Sequence, residues 1–154
     1  MTLTLLEGAV DAISDYIQAN MSTKVAALNT RYGDSLLDDI VTYYVGSLPL
    51  STPEVPSVAF HAMNWMPGEQ RLANLEVTNS IDVITFVGDD NITNRFRKLA
   101  RYGMAIVELA RTAKGNIAYT VKIGGQVELT DYMSTTPYLQ GIIVPLTFTK
   151  YEDY

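Results

Sequence analysis

The chain has no cysteine, which excludes disulfides, thiolate metal sites and cysteine nucleophiles. Its single histidine, His61, leaves no two-histidine metal motif to be built. No run approaches the ~18 consecutive apolar residues of a membrane span. The N-terminal apolar residues carry no basic flank and are broken by Glu7 and Asp11, unlike a signal peptide. Positive charge is scarce, with 11 Lys and Arg against 17 Asp and Glu for a net charge of −6. A general phosphate-gripping surface is therefore not expected, because backbone binding depends on clustered cations. No phosphate cradle is present either, since Gly124-Gly125 lacks the P-loop lysine and the helix that follows it.

What remains is 154 residues, 47% hydrophobic and 18% charged, a globular composition. That length favours one domain, residues 1–154, with a core large enough to need no covalent staple. Leu3, Leu6, Val10, Ile13, Ile17 and Met21 recur at steps of three and four, and Val25 and Leu28 extend them. This spacing predicts a helix of about 25 residues, with Glu7, Asp11, Asp15 and Gln18 opposite the stripe and Gly33 as a left-handed stop. Residues 34–55, with Pro49 and Pro53, read as an irregular excursion, with room for a helical turn or a short strand before the prolines.

From Pro56 the period becomes two. Val58, Phe60 and Ala62 alternate in a strand, residues 64–72 read as a loop around Pro67-Gly68, and Ile81–Val87 is a central strand. The second helix is expected after Asp89 or Asp90 as cap, with a stripe of Ile92, Phe96, Leu99, Gly103, Ile106 and Ala110 ending at Gly115. Ile117–Ile123 then predicts a strand, Gly124-Gly125 a hairpin turn, and Val127–Leu129 the return. In the last strand Ile142, Val144, Leu146 and Phe148 share one face while Pro145 cannot donate to a ladder. That strand is expected at an edge or bulged at Pro145. Together these elements predict an α+β fold, a mainly antiparallel or mixed sheet with two long helices on one face.

Little in this inventory is catalytic. His61 could serve a serine such as Ser57, but no G-x-S-x-G elbow surrounds any serine, and a satisfied surface histidine explains it as well. Asp89-x-Asn91-x-Thr93 lacks the glycine and closing glutamate of a calcium loop, so no metal or cofactor is expected. Arg95, Arg97, Lys98, Arg101, Arg111 and Lys114 are six of the 11 basic residues. They form either a solvated helix face or a subunit interface, in which Arg95, Arg97, Lys98 and Arg101 meet Asp11, Asp15 or Asp38 of a neighbour. An exposed Ile142–Phe148 edge would itself need a neighbour's cover.

The strand Ile81–Val87, the turn Gly88-Asp89-Asp90 and the helix Arg95–Gly103 resemble the centre of tailed-bacteriophage tail terminator proteins, and Tyr138–Phe148 resembles their last strand and that of related head–tail joining proteins. The resemblance implies a structural virion protein, not an enzyme. Its subunits would close into a hexameric ring that caps the tail tube, stops its polymerisation and docks to the neck or connector, with DNA passing through the lumen. Six copies at −6 each give −36, a charge that repels DNA phosphates. A stopper or tail-completion protein of the neck is the alternative, and a small hydrolase using His61 a more distant one.

Overall fold

The computed structural model describes residues 6–71, 74–131 and 139–153. Leu3, Tyr138 and residues 72–73 of the expected loop lie outside the described residues. The chain runs α1 (Leu6–Tyr32), β1 (Thr42–Gly46), β2 (Ser57–Arg71), β3 (Asn74–Gly88), α2 (Ile92–Ala113), β4 (Thr120–Ile123), β5 (Glu128–Asp131) and β6 (Leu139–Asp153). The six strands form one sheet ordered β1-β2-β3-β6-β4, with β5 also on β6. β1 is parallel to β2, and all other pairings are antiparallel. α1 lies over β1 and β2, and α2 over β3, β6 and β4. This is the expected α+β architecture.

The helices form where the apolar spacing places them. α1 buries Val10, Ile13, Ile17, Met21, Val25 and Leu28 and runs unbroken through Met21. It ends at Gly33 (φ 68°), where the Gly33 amide donates to the Thr30 carbonyl (3.2 Å) and the Asp34 amide to Asn29 (3.0 Å). Those two bonds satisfy the last carbonyls, as a left-handed residue after a helix does. The cap of α2 is Asn91, whose side chain accepts from the Asn94 amide at 3.0 Å, in place of the expected Asp89 or Asp90. Leu99, Gly103, Ile106, Leu109 and Ala110 face the sheet, but Ile92 and Phe96, one turn earlier, are 74% and 59% exposed. At Gly103 α2 comes close to the sheet, for a Cβ there would lie 2.5 Å from Cδ1 of Ile142.

Ion pairs and hydrogen bonds join the helices in antiparallel order. Tyr16 donates to Thr112 (2.8 Å), Lys24 and Arg31 both pair with Glu108 (2.9 and 3.0 Å), and Arg101 pairs with Asp34 (2.8 Å). Between helices and sheet lies the main core, in which Phe60, Ile81, Val83, Val144, Leu146 and Phe148 are wholly or almost wholly buried. Each such side chain contributes roughly 1.5–3 kcal/mol by leaving water. The outer face has a smaller cluster, Ala59, Ile84, Phe86 and Leu139, with Tyr44, Leu48 and Ile143 against it.

The excursion at 34–55 takes the short-strand alternative: it contains β1, which adds to the sheet beside β2 in the register Val45↔Phe60. Three other expectations about the strands are corrected. Residues 64–71 are strand, because the register shift between Pro67 and Gln70 absorbs the proline and glycine. The Gly124-Gly125 segment does not reverse the chain, since β4 and β5 both pair with β6 as one interrupted strand. Neither glycine has a positive φ; Gly124 is needed because a Cβ there would collide with Oγ1 of Thr147.

The third correction concerns β6, which is interior and not an edge. It pairs with β3 along its length and with β4 and β5 on the other side, and Ile142, Val144, Leu146 and Phe148 are buried. The carbonyl of Pro145 accepts from the Gly124 amide at 2.8 Å. In an antiparallel strand a residue's N–H and C=O point to the same side. The missing donor of Pro145 therefore faces the break between β4 and β5, where no ladder partner is required.

Candidate functional site

The cationic helix face is used mostly inside the chain. Arg95 donates to Gln140 Oε1 (2.8 Å) and to the Asp89 carbonyl (3.0 Å), binding the start of α2 to β6. Lys98 pairs with Asp89 at 2.9 Å, with the two side chains 17% and 15% exposed. This lysine holds the Asp89 carboxyl below the usual carboxylate range, assisted by the Asn91 amide. Arg101 donates to both oxygens of Asp34 (2.9 and 2.8 Å) and lies 4.1 Å above the Tyr32 ring. The Arg101 hydrogen bonds likewise lower the Asp34 pKa.

Within the subunit Arg95, Lys98 and Arg101 of the expected interface set are engaged by Gln140, Asp89 and Asp34 of their own chain. Arg97 is exposed and makes no hydrogen bond or ion pair among the described residues. Asp38 is held through its backbone, its amide donating to the Tyr102 hydroxyl (3.1 Å) while that hydroxyl donates to its carbonyl (2.6 Å). Burial pushes the Tyr102 phenol up, so it stays protonated in that role. The need for a neighbour's cover over β6 also disappears, because β4 and β5 provide it.

The unpaired charges collect elsewhere, at the two margins of the sheet. At the β1 margin, Glu7, Asp11 and Asp15 stand exposed at i, i+4 and i+8 on α1. Glu7 and Asp11 line a groove of about 350 Å³ with Leu6, Val10, Val45, Gly46 and Ala62. At the β4 margin, Arg111 and Lys114 from the end of α2 and Lys122 from β4 line a second groove of about 350 Å³, floored by Ala110, Val121 and Ile123. None of these six charged side chains has an ion pair or hydrogen bond among the described residues. The composition hid this segregation, since cations and acids count equally wherever they stand; the clue was the two basic residues left at the end of the helix stripe.

On the outer face His61 stands opposite Asp82 across the β2–β3 ladder. Burial raises the Asp82 pKa, partly offset by His61, while Glu128 pushes it further up. Ser57 and His61 are four residues apart on β2, roughly 13 Å at ~3.3 Å per residue, so they do not form a nucleophile–base pair. Among the described residues no group of three or more His, Asp or Glu could hold a metal ion, and no helix is long and apolar enough to cross a membrane.

No protein-family model matches the chain, and no curated protein is significantly similar to it in sequence.

Proposed function

We propose that this chain is the subunit of a closed ring that ends a bacteriophage tail tube, working by shape and self-association. The observation that carries the reading is the pair of unlike open edges on one sheet. Among the described residues β1 pairs only with β2, in parallel, and the interrupted β4–β5 strand only with β6, antiparallel. A subunit whose two margins differ joins the next copy head to tail, and such heterologous contacts close into rings at a fixed rotation. The sheet also runs on as three strands past the last β4 pairing, Thr120↔Thr149. Beyond that level lie Pro67–Arg71 of β2, roughly 16 Å of strand, a length that suits contact with a tube ring stacked on the subunit.

In this reading one ring face matches the tail tube and the other meets the neck or connector. DNA crosses the lumen without sequence contacts, since a net charge of −6 per copy repels phosphate. The protein then resides in the tail of the virion. Native mass spectrometry of the purified chain tests the reading: an assembly of six 17.0 kDa protomers is expected, and a strict monomer at micromolar concentration refutes it. Cryo-electron microscopy of virions should find that ring on the tube end, whereas a ring on the portal side makes it a stopper or tail-completion protein.

A further inference from the structure

We infer that the ring contact is the acidic ridge of α1 in one copy seated on the basic α2–β4 groove of the next. The inference rests on the ring reading and specifies which surfaces meet. The first argument is charge. Glu7, Asp11 and Asp15 are like charges one turn apart, an arrangement that destabilises an isolated helix. Arg111, Lys114 and Lys122 crowd the other groove with no carboxylate among its described lining residues. Among the described residues neither set meets the countercharge that the other supplies.

The second argument is height. Strand register carries one row across the sheet, from Ala62 on β2 to Ile81 on β3, Leu146 on β6 and Ile123 on β4. Ala62 lines the acidic groove and Ile123 the basic one. The two grooves therefore lie at the same level along the strands, on the helix-bearing face and at opposite margins. A rotation about an axis roughly parallel to the strands carries one margin onto the other with no shift along them, as a planar ring requires. Apolar surface is present at the contact as well, for Val45 beside the acidic ridge is 48% exposed.

The test uses two charge-reversed proteins and their mixture. One carries Arg111→Glu, Lys114→Glu and Lys122→Glu, so both of its margins are acidic. The other carries Glu7→Lys, Asp11→Lys and Asp15→Lys, so both of its margins are basic. Each alone is expected to stay monomeric at the concentration where the wild type assembles, or to need roughly tenfold more protein or higher, since like-charge contacts are strongly unfavourable. Mixed one to one, they should assemble with alternating subunits, read by native mass spectrometry on a mass-tagged partner. Glutamine at the same positions provides milder variants, which should weaken assembly and flatten its salt dependence if a reversed protein fails to fold.

Reversed proteins that each assemble like the wild type, or a mixture of folded monomers that stays monomeric, overturn the interface and leave the ring reading standing. A monomeric wild type overturns the ring reading itself, and the interface with it.

Discussion

Gly103 lets α2 pack closely on Ile142 of the sheet, and it allows a quantitative test of the packing. In Gly103→Ala the new methyl would sit 2.5 Å from Cδ1 and 3.3 Å from Cγ1 of Ile142. Overpacking of this kind costs about 1–3 kcal/mol, while alanine in a helix interior returns about 1 kcal/mol relative to glycine. The single variant should thus lose about 0–2 kcal/mol. Ile142→Val removes Cδ1 alone and should cost about 0.5–1.5 kcal/mol by itself. In that background the worst contact is gone, so Gly103→Ala should become neutral or stabilising. The four proteins of this cycle, unfolded in urea and followed by far-UV circular dichroism, should give a favourable coupling of about 1 kcal/mol or more. Additivity within about 0.5 kcal/mol, the behaviour of independent sites, would refute the close approach.

Three further outcomes check the charge assignments. Arg101→Glu should lower the thermal midpoint, because it sets two carboxylates together and removes the stacking on Tyr32; Arg97→Glu, at an exposed site, should leave stability within about 0.5 kcal/mol. Equal effects from the two would contradict the internal role of Arg101. Asp89 has a lowered folded pKa owing to Lys98, so it contributes stability above the ordinary carboxylate range that is lost as pH falls through the folded value. Lys98→Met should flatten the acid limb of a midpoint-against-pH curve, and an unchanged limb would refute the pairing. Asp82 has the opposite sign: burial raises its folded pKa, so stability falls as pH rises through that value. Asp82→Asn should therefore raise the midpoint at neutral pH and converge with the wild type in acid, and coincident curves at neutral pH would count against it.

How much was legible in the sequence depended on whether a signal was local. The stripes of α1 and α2 and the stops at Gly33 and Gly115 need only a few consecutive residues, and the structure has them. Ile92 and Phe96 keep the helical spacing yet stand exposed, because spacing says which side a residue faces and not whether anything lies beneath it. Gly124-Gly125 and Pro67-Gly68 were read as reversals; a glycine that a turn needs for its backbone cannot be told in sequence from one that a close neighbour needs for space. Pro145 was read as an edge marker, and its true tolerance depends on a gap in another strand. The partners of Arg95, Lys98 and Arg101 lie in loops and strands whose placement against α2 only the tertiary fold sets. Hence most of the expected interface cations have partners inside the subunit, while among the described residues Arg97, Arg111, Lys114 and Lys122 make no hydrogen bond or ion pair.

The placement of β6 bears on how the chain matures. α1 and the β2–β3 pair can begin to form from neighbouring sequence, but among the described residues β4 and β5 have no hydrogen-bonding strand except β6, synthesised after them. The nascent polypeptide therefore leaves this flank unzipped until β6 emerges and slides into the middle. Truncated translation products would carry an unsealed sheet, and a cell could recognise them by it.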